Sequence, residues 1–157
     1  MRKIGNPYSN IPGYNCFGCS PRNEQGLQMD FYEEGEWIIC PWKPKPQFHG
    51  YGNILHGGIQ TTMLDEISAW VINVKLETAG LTANIDVKFK KALHTSEKPI
   101  TIRAKLQEHS KKIATIYAEL LNDKDEVCTV AEVKYYILSQ NVAREKLYYP
   151  GIKAFYS

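Results

Sequence analysis

A chain of 157 residues, 43% hydrophobic and 23% charged, is long enough to bury one sizeable core and too apolar to remain disordered. Its formal net charge of +2 gives no argument for a nucleic-acid partner, and no uninterrupted apolar run approaches a membrane span. The start, MRKIGNPYSN, lacks the apolar segment of a signal peptide, and Cys16, Cys19, Cys40 and Cys128 do not resemble a disulfide framework, so a cytoplasmic protein is expected.

Residues 1–26 are rich in Gly, Pro, Asn and Ser and are expected to form an ordered arm rather than a core element. Within it, Cys16-Phe17-Gly18-Cys19 places two thiols three residues apart, a spacing that can serve one metal. No second pair completes such a site, because Cys40, Cys128 and His49 have no ligand-like spacing. The expectation is a buried turn and no metal. Gly26–Phe31 and Trp37–Trp42 read as strands joined by Glu33-Glu34-Gly35-Glu36. Pro41, Pro44 and Pro46 then impose an extended path, and Gly50-Tyr51-Gly52-Asn53 delivers the chain to His56.

From His56-Gly57-Gly58 the chain runs to Val74 without a breaker. At roughly 100° per residue, Ile59, Met63, Leu64, Ile67, Trp70, Val71 and Val74 share one apolar arc. The other side carries Thr61, Thr62, Asp65, Ser68, Ala69 and Asn73, with Ile72 among them, so it is not a plain solvent face. Gly80 is the expected C-terminal stop. Alternation then predicts strands at 81–90 and 100–106, and segments 112–121 and 126–138 are rich in strand formers. Short turns between them argue an antiparallel meander and an α+β architecture of one helix against one sheet. Asn141 is the expected cap of a short last helix ending before Pro150-Gly151, in a tail made aromatic by Tyr148, Tyr149, Phe155 and Tyr156. The expected organisation is one domain over 1–157, with the arm at 1–26, the core at 27–138 and the tail at 139–157.

The first turn of a helix has unpaired N–H groups and the positive end of the helix dipole. Gly57 and Gly58 carry no side chain, so an oxygen atom can approach those groups, as an oxyanion hole requires. Asp65, two turns on, is suited to activate water or to attack a carbonyl. The residues alone leave a second reading open, a Gly-Gly turn entering a core helix with Asp65 paired to a neighbour.

His56-Gly57-Gly58 followed by Asp65 resembles the signature of hot-dog fold acyl-CoA thioesterases of the phenylacetate (PaaI) type. Thr82-Ala83-Asn84-Ile85-Asp86-Val87-Lys88-Phe89 resembles the strand after their central helix, and Cys16-Phe17-Gly18-Cys19 with Asn23 and Gly26-Leu27 resembles an N-terminal segment of one subgroup. The resemblance covers roughly residues 14–138. It implies a long central helix wrapped by a six-stranded antiparallel sheet, and a homodimer or homotetramer with active sites between subunits. It also implies hydrolysis of an acyl-CoA thioester to free acid and CoA, with no cofactor beyond the CoA of the substrate. Gly57 and Gly58 would hold the thioester oxygen, Asp65 of the facing subunit would be nucleophile or general base, Thr82 would position water or the carboxylate, and His56 would orient the loop. Lys88 and Lys90, with Thr62 and Asn84, are the candidate substrate-binding residues, the lysines for the phosphates of CoA.

Two departures stand out. Some relatives carry an asparagine six residues before the motif histidine, where this chain has Gly50, and Asn53 is out of register. Strict alternation also puts Thr82 on the face opposite Leu81 and Ala83, so a bend in the strand is needed to bring it to Asp65. Glu66 is a second candidate base. The alternative function is a non-catalytic acyl or acyl-CoA binding module. A hot-dog dehydratase ranks last, because His49, His94 and His109 fall in expected loops.

Overall fold

The computed structural model describes all of residues 1–157. Seven strands form one antiparallel sheet: β1 (Arg2–Ile4), β2 (Phe31–Glu34), β3 (Trp37–Trp42), β4 (Gly80–Phe89), β5 (Ile100–His109), β6 (Ile113–Leu121) and β7 (Val127–Ile137). Their order across the sheet is β1-β2-β3-β5-β6-β7-β4, and the long helix α1 (Gly57–Lys75) packs against the inner face. This is an α+β hot-dog architecture, with one strand more than the six expected. The extra strand is β1, from the N-terminal arm, which pairs with β2 through Arg2 opposite Glu33 and Ile4 opposite Phe31.

The side of α1 turned from the sheet is covered as well, by the arm and the tail, which is why Asn73 is buried there, while Ser68 and Ile72 are buried together with Met63, Leu64, Ile67 and Val71. Trp70 is the hub of that second layer. Its ring stacks on Phe31 at 4.4 Å between centroids and meets Tyr8 of the arm and Phe155 of the tail edge-on. Apolar burial of this kind is worth about 25 cal/mol per Å², so arm and tail contribute to the core rather than decorate it. Asn73 satisfies its amide there, accepting from the Tyr8 hydroxyl at 3.0 Å and donating to the Thr78 carbonyl at 3.0 Å.

Several local expectations are corrected. The first strand of the hairpin starts at Phe31, not Gly26, because Gln28 adopts a left-handed φ of 52° that breaks an extended path. Leu27 is nonetheless buried, and its carbonyl accepts from Trp42 Nε1 at 2.7 Å. Gly80 is not the helix stop. Glu77 takes the left-handed position at φ 52°, while Gly80 opens β4, where a Cβ would lie 2.6 Å from the Tyr136 carbonyl oxygen. The last helix, α2 (Gln140–Leu147), is capped by Ser139, whose side chain accepts from Val142 N–H, and not by Asn141.

No helix is long and apolar enough to cross a membrane.

Candidate active site

Asp65 lies in the third turn of α1, on the flank facing the edge strand β4. The Thr82 hydroxyl donates to Asp65 Oδ1 at 2.9 Å. A β-bulge makes this possible. Thr82 pairs with Tyr135 and Asn84 with Lys134, so Ala83 is the extra residue and Thr82 faces inward despite the alternation of its neighbours. The opposing residue of that pair, Tyr135, is buried, and its hydroxyl reaches both Asp65 Oδ1 and, at 2.7 Å, the Asp65 carbonyl oxygen. Burial, then the neighbouring Asp65 charge, pushes the Tyr135 hydroxyl far above the ordinary tyrosine range, which keeps it a donor. Oδ1 is thus held by two hydroxyls. Oδ2 has no protein partner and is free to meet a water or a carbonyl carbon.

At the start of α1, His56 is the N-cap and its Nδ1 accepts from Gly58 N–H at 2.9 Å. An accepting Nδ1 carries no proton, so the neutral ring is protonated at Nε2. This bond uses the Gly58 N–H and leaves the Gly57 N–H open at the helix end, with the Ile59 N–H also unpaired. The ring of Phe89 lies over Gly57, with a Cβ built on Gly57 at 3.4 Å from Phe89 Cε1. The loop before the helix is anchored from below by buried Gln60, which donates to the Leu55 carbonyl at 2.8 Å and accepts from the Thr129 hydroxyl.

The remaining predicted residues are not gathered around Asp65. Thr62 turns back to the Gly58 carbonyl at 3.0 Å, one turn from the helix start. Asn84 pairs with Lys134 and Lys88 with Val130 on the outer face of the sheet, and Lys90 follows the end of β4. Lys88 lines an outer-face cavity of about 200 Å³ with Asp86, Tyr117 and Glu132, which contains no residue of α1.

Residues 52–129, which contain the helix start, Asp65 and the bulged strand, match the thioesterase superfamily. This chain belongs to that superfamily. Among solved structures, the fold is similar to the thioesterase superfamily protein RHA08564, with TM-score 0.70 and 18% identity over 77% of this chain. The chain spans 62% of that protein's length. It is also similar to PaaI of E. coli from the phenylacetic acid degradation operon, with TM-score 0.65, 15% identity, and coverage of 73% of this chain and 82% of that one. A hypothetical thioesterase of Streptococcus pneumoniae TIGR4, solved with coenzyme A, aligns at TM-score 0.64 and 18% identity over 71% of this chain and 90% of its own. No curated protein matches the chain.

Within this thioesterase-superfamily site, position 50 has room for a side chain. A Cβ there would meet only His56 Cα at 3.6 Å and other atoms at ordinary contact distance. Asn53 does not substitute for it, since its amide donates to the Thr95 carbonyl and its Oδ1 meets His94. Sequence reasoning passed over Tyr135 and Gln60. Tyr135 had one signal: alternation along β7 turns it inward beside outward Tyr136, and a buried tyrosine hydroxyl requires a partner. Glu66, the second candidate base, points away from Asp65 and under the arm, where Trp70 Nε1 donates to its Oε1 at 3.2 Å.

Proposed function

We propose that this protein is an acyl-CoA thioesterase of the PaaI type, and that its active site is shared between two copies of the chain. The observation that carries the reading is the Asp65 carboxylate, oriented through one oxygen by Thr82 and Tyr135 with the other oxygen free. Gly57 supplies the N–H for the thioester oxygen, where negative charge develops as the carbonyl carbon becomes tetrahedral. Asp65 Oδ2 takes a proton from water as the water oxygen bonds that carbon, or attacks the carbon itself to give an anhydride that water then opens. In either route the C–S bond breaks, CoA leaves as the thiolate and takes up a proton, and the acid is released.

One chain does not complete this arrangement. Gly57 and Asp65 are eight residues apart on one helix, about 12 Å along its axis at ~1.5 Å per residue. A second copy must bring its Asp65 to the first copy's Gly57. Strand β4 is the edge that permits this: it is ten residues long, unpaired on its outer side, and exposes Leu81 and Phe89. A homodimer, or a tetramer built from it, follows. Lys88 on the outer face of the sheet and Lys90 just past the end of β4 are the proposed contacts for the phosphates of a CoA that enters from the neighbouring copy. Four unpaired cysteines suit a reducing compartment such as the cytoplasm.

The test is thiol release from short, medium, long and aryl acyl-CoAs, with Asp65→Asn alongside. Turnover that falls by about 10² to 10⁴ in the variant supports the reading. The vacant position at Gly50 favours one alternative, an acyl-CoA binding module. Tight binding with no turnover of any substrate would establish that alternative instead.

A further inference from the structure

Glu66 sits next to Asp65 in sequence but belongs to a different cluster. The arm crosses α1 at the turn Cys16–Ser20, which is closed by Ser20 N–H donating to the Cys16 carbonyl at 3.1 Å. Cys16 Sγ lies 3.6 Å and 3.7 Å from the two Glu66 carboxylate oxygens. The ligand atoms of Cys16, Cys19 and Glu66 all fall within 4.8 Å of one another. Gly18 makes the approach possible, since a Cβ at that position would stand 2.6 Å from Glu66 Oε2.

The dimensions suit a metal. Zinc bound at ~2.3 Å by sulfur and ~2.0–2.2 Å by carboxylate oxygen, with tetrahedral angles, separates sulfur from oxygen by about 3.5 Å. Outer partners are in place as well. Trp70 Nε1 donates to Glu66 Oε1 at 3.2 Å, and the Tyr14 hydroxyl lies 2.9 Å from Cys19 Sγ. Such contacts fix the orientation of metal-binding groups. What the cluster lacks is a counter-charge: the ion pairs of the chain involve Glu33, Glu34, Glu36, Asp30, Glu119 and Glu126, never Glu66.

We propose that Cys16, Cys19 and Glu66 bind one zinc-class divalent ion that clamps the N-terminal arm to the central helix. Two thiolates select a borderline-soft ion over magnesium or calcium. The two thiols lose their protons on binding, Glu66 contributes as carboxylate, and water takes the fourth position. The inference stands apart from the chemistry assigned to Asp65.

The experiment uses tag-free, full-length protein kept reduced with a phosphine, because a histidine tag would itself bind zinc. Elemental mass spectrometry should find about one zinc per chain after zinc loading and desalting. Cobalt(II) added to chelator-stripped protein should give the intense near-ultraviolet absorption of thiolate-to-metal charge transfer. Cys16→Ser and Cys19→Ser should lose both signals. Glu66→Gln keeps both thiols and the Trp70 contact and should bind zinc about 10- to 100-fold more weakly. Asp65→Asn, one residue away, should retain the metal fully. Reduced wild-type protein that takes up neither ion would overturn the proposal, as would equal uptake by wild type, the serine variants and Glu66→Gln.

Discussion

The Tyr135 hydroxyl lies 2.7 Å from the Asp65 carbonyl oxygen and within reach of Oδ1 of the same residue. A strand side chain thereby fixes both the backbone and the carboxylate of one helical residue. Tyr135→Phe keeps the buried ring and removes only the hydroxyl. A hydrogen bond to a charged group is worth about 1.5–3 kcal/mol, so kcat in the thiol-release assay should fall roughly 10- to 100-fold. Unchanged kcat would reduce Tyr135 to an anchor for the helix.

Thr82 holds the same oxygen from the other side at 2.9 Å. Thr82→Ser retains the donor and should keep turnover within about threefold, while Thr82→Val, similar in shape, should lose about tenfold. Activity lost in Thr82→Ser but kept in Thr82→Val would indicate that the methyl group, not the hydroxyl, matters at this position.

At the helix start the two glycines have separate roles. Gly57 lies in an ordinary helical conformation with space for a methyl group 3.4 Å from the Phe89 ring. Gly57→Ala should therefore fold normally, with a melting temperature at or slightly above wild type, because alanine favours a helix. Its kcat/KM should fall by about 10²-fold as the methyl crowds the open N–H, against ~2.7–4 kcal/mol for complete loss of such a donor. The neighbouring cap behaves oppositely. His56→Ala should cost about 1 kcal/mol, or roughly 2–4 °C in melting temperature for a chain of this size, and His56→Asn should recover most of it.

Much of this architecture is legible in the sequence because it is periodic. The breaker-free run after His56-Gly57-Gly58 and the alternation in 81–90 and 100–106 depend only on neighbours, and α1, β4 and β5 lie where those patterns put them. What the sequence conceals is set by contacts across the fold. Thr82 faces Asp65 only because the sheet register slips at Ala83. Gly80 was needed for a close approach to the Tyr136 backbone, a partner 56 positions away and invisible to a local reading. The third member of the cysteine cluster is a glutamate, 50 residues along the chain from Cys16, so searching for a second cysteine pair at regular spacing could not find it.

Mixing two inactive variants separates a shared site from a single-chain site. In a dimer of one Asp65→Asn chain and one Gly57→Ala chain, one site combines the intact Gly57 with the intact Asp65, and the other combines both lesions. Co-refolding equal amounts should restore about a quarter of wild-type activity, since half the dimers are mixed and each carries one sound site. Activity that remains the mean of the two parents would place Gly57 and Asp65 of one chain in the same site.

A last prediction concerns stability away from the site. The Lys75 ammonium in the final turn of α1 pairs with Glu33 of β2 and donates to the Gly35 carbonyl at 2.8 Å, and the Tyr156 hydroxyl also donates to Glu33. Burial works against the Glu33 charge, but Lys75 and Tyr156 outweigh it and hold the carboxyl below its usual range. A depressed carboxyl binds fewer protons folded than unfolded, so its stabilisation is present above the unfolded pKa and is lost as pH falls through the folded one. Glu33→Gln should melt about 2–4 °C below wild type at pH 7, for an interaction of roughly 1 kcal/mol. The gap should persist down to about pH 5 and close on further acidification, as the wild-type carboxylate takes up its proton. A gap that is the same at pH 7 and at pH 3 would mean that the shape of the side chain, not its charge, joins the hairpin, the helix and the tail.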